Sequence, residues 1–232
     1  MDPRKIAQDL KVDAILTGRV TQHSDTLIIQ ADLINVADGS QLWGEQYNRK
    51  LADISSVQPE IARDISDKLQ LRLSGEERTH LAKRPTENAE AYQLYLKGLY
   101  NLNKRTGESL VRGTEYFSQA IERDPGFALA YVGLADSYTA GSRAVSPESV
   151  TKAKAAATKA LELDGSLAEA HASLGWSRTR EGDWPGGEKE LKRAIELNPN
   201  YANAHYYYAF GYLTWMGRHD EAIAEMKKAR RT

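Results

Sequence analysis

The residue types able to do chemistry are sparse and scattered along this chain. Cysteine is absent, which excludes disulfides, thiolate nucleophiles and Cys-based zinc sites. The histidines are His23, His80, His171, His205 and His219. His171 and His205 look like a pair, because each closes the same short pattern, Ala-Glu-Ala-His171 and Ala-Asn-Ala-His205. The equivalent place in two further copies holds Tyr92 and Tyr131, so a ring filling the gap between helices explains these histidines better than a metal or an acid–base role. His23 falls in a turn, His80 in a linker and His219 in an inter-helix turn, and none has a nucleophile or carboxylate constellation around it.

Phosphate and nucleic-acid chemistry fare no better. Gly107-Glu-Ser-Leu-Val-Arg-Gly113 carries too many residues between its glycines for a phosphate-binding loop, and no lysine follows. Arg178, Arg180, Lys189, Lys192 and Arg193 form no stripe with interleaved stacking aromatics. Lys227 to Arg231 suits the last turn of a helix, where cations meet the negative end of the dipole. The chain sets 31 Lys and Arg against 32 Asp and Glu, so there is no basic footprint for a polyanion. These residues predict no enzyme, no cofactor and no metal.

The elements that would position any site fall into two textures. Leu16, Gly18 and Val20 alternate with Thr17, Arg19 and Thr21, and Leu27, Ile29, Ala31 and Leu33 share one face of a second run. Ala37 to Ser40 reads as a turn into a third strand, Gln41–Tyr47. These runs predict an antiparallel meander over about 14–47, preceded by a short helix from Pro3 to about Leu10. A helix over about 56–73 follows, with Ser55 and Gln58 spaced as a capping box and Val57, Ile61, Ile65 and Leu69 as its apolar stripe. The polar stretch Ser74–Glu87, holding Gly75 and Pro85, marks the boundary. The composition allows a core, no apolar run reaches the ~20 residues that span a bilayer, and the polar Met1–Leu10 is unlike a signal peptide.

From Asn88 onward the pattern is helical and repeats. Asn88-Ala-Glu-Ala-Tyr92, Phe127-Ala-Leu-Ala-Tyr131, Leu167-Ala-Glu-Ala-His171 and Tyr201-Ala-Asn-Ala-His205 line up at intervals of 39, 40 and 34 residues. Ala120, Ala160, Ala194 and Ala229 each stand three residues after Phe117, Ala157, Leu191 and Met226. Asp124-Pro125-Gly126, Asp164-Gly165-Ser166 and Asn198-Pro199-Asn200 end the first three of these second helices. Small residues at Ala135, Gly175 and Ala209 allow close helix approach. In the first copy Leu96 takes that place, a departure that would disturb its packing. Insertions at Lys104–Ser109 and Ala140–Val145 lengthen two turns, and after the second Ser146-Pro147 starts a helix. Ser149 stands where a capping box would have Glu or Gln.

Small residues, aromatics and helix stops recurring in register resemble the tetratricopeptide-repeat (TPR) family over about the last 145 residues. The fold implied is mainly α: a solenoid of about four helix pairs (88–126, 127–166, 167–200 and 201–232) after a linker at 76–87. The segment 1–75 resembles a partial TolB-like α/β domain, on Val12–Val20, Ser40–Tyr47 and Ile61–Ile65. Such domains precede TPR repeats in bacterial signalling proteins, among them kinases, adenylate cyclases and winged-helix regulators. The family's opening strand and helix have no counterpart here, which implies a fragment of a larger protein.

By the same resemblance, the first helices of the repeats line a groove for a protein or peptide partner. The register assigns it Gln93, Lys97 and Asn101; Val132, Asp136 and Thr139; Ala172, Trp176 and Arg180; and Tyr206, Phe210 and Leu213. Trp176, Tyr206 and Phe210 suit either an apolar anchor or packing between helices. Glu169 opposes the acidic chaperone tails that some TPR proteins grip with a Lys, Asn and Arg cluster. The function implied is a non-enzymatic scaffold, with an oligomerisation module or a small-ligand sensory domain as alternatives. Self-association also suits a chain whose last helix has no polar capping helix after it. Nucleic acid and membrane insertion are not expected, and a cytoplasmic or an extracytoplasmic position fits equally.

Overall fold

The computed structural model describes residues 7, 12–68, 84–140 and 146–231, which belong to two compact units, Met1–Ala89 and Glu90–Thr232. Most of the expected helix at Pro3–Leu10, His80, and the inserted turn at 141–145 lie outside the described residues.

In the first unit, strands β1 (Ala14–His23), β2 (Thr26–Asn35) and β3 (Gln41–Lys50) form an antiparallel sheet in the order β1-β2-β3. Alternation places Leu27, Ile29, Ala31 and Leu33 on one buried face of β2. Tight turns set the register: Ser24 adopts a positive φ of 54° between β1 and β2. Between β2 and β3, Asp38 accepts the Ser40 backbone N–H at 2.9 Å and its hydroxyl at 2.7 Å. Helix α1 (Ile54–Lys68) packs Val57, with Ile54 and Ile61, against Leu27, Ile29, Ala31 and Tyr47. Tyr47 donates its hydroxyl to Asp64 at 2.7 Å, and Arg49 pairs with Glu60. Ser55 does not cap this helix. A 3₁₀ turn, Leu51–Asp53, runs straight into Ile54, so Ser55 lies buried in the first turn.

The second unit is a solenoid of stacked helix pairs. The first is α2 (Ala89–Lys104) with α3 (Gly107–Arg123); the second is α4 (Ala128–Thr139) with α5 (Pro147–Leu163). The third is α6 (Ala168–Glu181) with α7 (Trp184–Leu197). The fourth opens with α8 (Ala202–Tyr206), continues as a widened turn over Tyr207–Leu213, and closes with α9 (His219–Arg231).

The same joint links successive pairs. Asp124, Asp164 and Asn198 end α3, α5 and α7 with nearly one backbone geometry, φ −144°, −147° and −141°. Each side chain accepts the N–H two residues on, from Gly126 (2.9 Å), Ser166 (3.1 Å) and Asn200 (3.0 Å). The turn is thus held by an Asx side chain, and the neighbouring Pro or Gly only permits it. Caps fix the other ends: Thr106 and Ser109 form a capping box, Ser146 accepts the Ser149 N–H at 3.1 Å, and Asp183 accepts the Gly186 N–H at 3.0 Å.

Close approach sets the spacing within and between pairs. A Cβ on Gly175 would stand 2.7 Å from Leu191, and one on Gly211 would stand 2.6 Å from the Trp176 indole. In the first pair the small residue is Gly98, not Leu96. Phe117 is fully buried between Gly98 and Gly133, whose added Cβ atoms would meet its ring at 2.6 and 2.3 Å. Leu96 is 36% exposed. The first pair therefore packs like the others, with its register displaced by two residues.

Two polar ties cross the helices. His205, 2% exposed, faces Glu225 through Nδ1 at 2.5 Å and the Pro199 carbonyl through Nε2 at 2.8 Å. His171 repeats the arrangement with Glu190 (2.7 Å) and the Gly165 carbonyl (3.2 Å). These rings tie the two helices of a pair to the preceding joint, beyond filling a gap. Between pairs, Ser173 donates to Asp136 at 2.6 Å. Burial raises the Asp136 pKa to about 6, against the lowering effect of the Ser173 hydrogen bond and of Arg105.

Gly98→Leu is predicted to cost about 2–3 kcal/mol or more through overpacking, and Leu96→Ala under about 1 kcal/mol; urea titration followed by circular dichroism checks the order. His205→Ala should cost about 2–4 kcal/mol by the same assay, because it empties a buried site between the helices and removes the ring's hydrogen bonds to Glu225 and the Pro199 carbonyl. The folded state binds the Asp136 proton more tightly than the unfolded chain. Its contribution is therefore full below about pH 4 and lost as pH rises through about 6. Asp136→Asn is predicted to be more stable than wild type at pH 7.5 by on the order of 1 kcal/mol, with the gap closing below about pH 5. Superimposable melting curves at both pH values would contradict this.

Candidate functional site

The first helices α2, α4, α6 and α8 share one inner face of the helical unit. Tyr95, Glu169, Tyr201 and Tyr207, from the other three pairs, each lie within electrostatic reach of Asp136.

Acidic groups mark one part of this face. Asp136 on α4 meets Ser173 on α6, and the Glu169 charge adds to the rise in its pKa while Arg105 opposes it. The phenols of Tyr95, Tyr201 and Tyr207 are all shifted upward, chiefly by burial, with Asp136 adding to each. Glu169 is half-buried and forms no ion pair among the described residues.

Aromatic rings make the next part. Trp176, 6% exposed, stacks on Tyr207 with centroids 4.8 Å apart and planes at 20°. Tyr206 and Phe210 stack at 5.7 Å and 8°, and Phe210 remains 43% exposed. The widened turn at Tyr207–Leu213 sets these rings: Thr214 N–H reaches the Ala209 carbonyl at 3.0 Å, and Gly211 lets the indole lie flat against the backbone.

A cation completes the series. The Arg180 guanidinium lies 4.4 Å above the Trp176 ring centre. Burial lowers its pKa, and it has no carboxylate within ion-pair distance among the described residues.

Of the twelve residues assigned to a groove from sequence, the structure brings Asp136, Trp176, Arg180, Tyr206 and Phe210 together. Val132, Thr139, Ala172 and Leu213 are buried in helix packing. Trp176 is mostly packing as well, the floor under Arg180. In the first pair Gln93 is half-buried, Asn101 is buried and donates to the Lys97 carbonyl at 2.8 Å, and Lys97 lies over Tyr116 of α3. Displacement by two residues explains these placements. Counting from Gly98 as the counterpart of Gly175 and Ala209, Tyr95 becomes the equivalent of Ala172 and Tyr206. That count was the signal that would have found Tyr95, whereas Tyr201, Tyr207 and Arg105 carried none.

Among the described residues no helix is long and apolar enough to cross a membrane, and no three metal-ligating side chains converge.

No family model matches the chain. It is 31% identical over 177 residues to "Putative adenylate cyclase 3" of Rhizobium meliloti (strain 1021), covering 75% of this chain and 30% of that protein. It is 25% identical over 229 residues to the transcriptional regulator HilA of Salmonella typhimurium, covering 96% of this chain and 40% of the regulator. The chain thus spans well under half the length of these relatives. Similar solved structures include MamA, at 26% identity and TM-score 0.40 over 55% of this chain and 70% of that one. Another is the first TPR of Spaghetti (RPAP3) bound to an HSP90 peptide, at 18% identity and TM-score 0.44 over 58% and 94%. The helix-pair architecture stands on the packing described above, and the overlays at these scores add nothing to it.

Proposed function

We propose that the helical unit is a non-catalytic interaction module of a bacterial signalling or regulatory protein, which binds a segment of a partner protein along its inner face. One observation carries this: Phe210, exposed and stacked on the half-buried Tyr206, adjoins a half-buried Arg180 that has no carboxylate partner among the described residues. Aromatics and arginine dominate binding energy at protein interfaces. The relatives add support. One is named for cyclase chemistry and the other for transcriptional regulation, and overlapping parts of this chain align with both. A segment common to two unlike outputs suits a shared regulatory part better than either chemistry. The first unit is read, on its strand and helix motifs, as part of a TolB-like domain.

Self-association is the second reading, favoured by Trp215 (69% exposed), Ile223 (54%) and Met226 (42%) on the fourth pair. Side chains of Thr214, His219, Ala222, Ile223 and Met226 line a shallow depression there. A photo-crosslinking amino acid placed at Phe210 or at Ile223, in cells making the whole protein, separates the two. The interaction reading predicts adducts with a foreign chain from position 210. Adducts only with a second copy, from either position, would replace it with the oligomerisation reading.

A further inference from the structure

The inner face carries opposite charges at its two ends, and their spacing can be read along a single helix. On α6, Ser173, Trp176 and Arg180 recur at three and four residues, and so stand on one side of the helix. Ser173 holds Asp136 of the neighbouring α4, with Glu169 one turn earlier on α6. Arg180 lies seven residues beyond Ser173, a rise of roughly 10 Å. Between the two ends are the Trp176–Tyr207 stack and the exposed Phe210.

The acidic end is only partly offset within the described residues, and the guanidinium end not at all. Glu169 and Arg180 both lack an ion pair, and the one opposite charge acting on Asp136 is that of Arg105. A half-desolvated guanidinium on an indole face offers bidentate donors to a carboxylate. A carboxylate pair walled by phenol rings favours a cation.

Resting on the interaction reading above, we infer that the occupant of this face is an extended peptide of a partner protein in which a basic and an acidic residue stand three positions apart around an apolar one. Three residues of extended chain cover about 10 Å, the rise along α6 from Ser173, which holds Asp136, to Arg180. The basic side chain goes to Asp136, with the Glu169 charge one turn beyond it adding to the attraction, the acidic one to Arg180, and the apolar one to Phe210. Peptides of uniform charge meet repulsion at one end, so selection comes from charge order as well as from contact.

The test is a synthetic array of nine-residue peptides in a Gly/Ser background, with one Lys, one Glu and one Leu or Phe in every order and spacing. It is probed with the full chain as wild type, Arg180→Glu, Phe210→Ala and Asp136→Asn, each verified as folded by circular dichroism. The expected result is a preference on the order of tenfold for Lys and Glu three apart, flanking the apolar residue, over Lys–Lys or Glu–Glu versions. Arg180→Glu should invert the preference at the acidic position, Asp136→Asn weaken that at the basic position, and Phe210→Ala reduce all binding. Equal binding irrespective of charge order, but lost in Phe210→Ala, overturns the bipolar occupant and leaves the interaction reading intact. No binding by any peptide, together with photo-crosslinks only to a second copy, overturns both.

Discussion

The helical unit depends on a few places where a side chain has no room. Phe117 fits because Gly98 and Gly133 stand on either side of it, Leu191 because Gly175 faces it, and Trp176 because Gly211 does. Each close approach lets one large apolar side chain serve two helices. With the same Asx turn at every joint, the step from pair to pair is repeated. An added methyl at any of these places would have to displace the facing side chain or the helix that carries it. A moved helix would take the inner face with it, because Asp136 and Ser173, or Trp176 and Tyr207, meet only at the spacing the glycines allow.

The same spacing decides which residues are free to act. Trp176 looks from sequence like an anchor for a partner, yet most of its surface is taken up by Gly211, Tyr207 and Arg180. What it supplies is a flat, apolar floor that lowers hydration of the guanidinium above it. Phe210 is left uncovered because the backbone widens by one residue in this stretch of the fourth pair, an irregularity absent from the first helices of the other pairs. Binding capacity thus arises from a departure from regular helix, as is common where such widened turns occur.

Much of the architecture was legible because it is written in residue types with narrow tolerances. Alanine and glycine at close contacts, Asx-Pro-Gly and its variants at joints, and alternating aliphatics in β2 each have one good structural explanation. The misreadings share a cause. Counting from the Ala-Glu-Ala-Tyr92 pattern puts Leu96 opposite Gly175, whereas the close contact falls two residues on, at Gly98, because the first pair has two more residues between its starting motif and the contact. Ser55 looked like a cap because the 3₁₀ turn before it leaves no trace in the sequence. The motif around His171 and His205 reads as structural, but their carboxylate partners, Glu190 and Glu225, lie about twenty residues away on another helix, too far along the chain for the motif to point to them.

The central claim is that one face carries acid and guanidinium at opposite ends of an aromatic cluster whose Phe210 is exposed. Proton NMR of the free protein with small nitroxide probes of opposite charge reads this directly. An anionic probe should broaden the Phe210 ring and Arg180 side-chain signals more than a cationic one, and the cationic probe should act more strongly on protons near Asp136 and Glu169. Phe210 protected from both probes, or broadening at both ends that is indifferent to probe charge, would contradict the account.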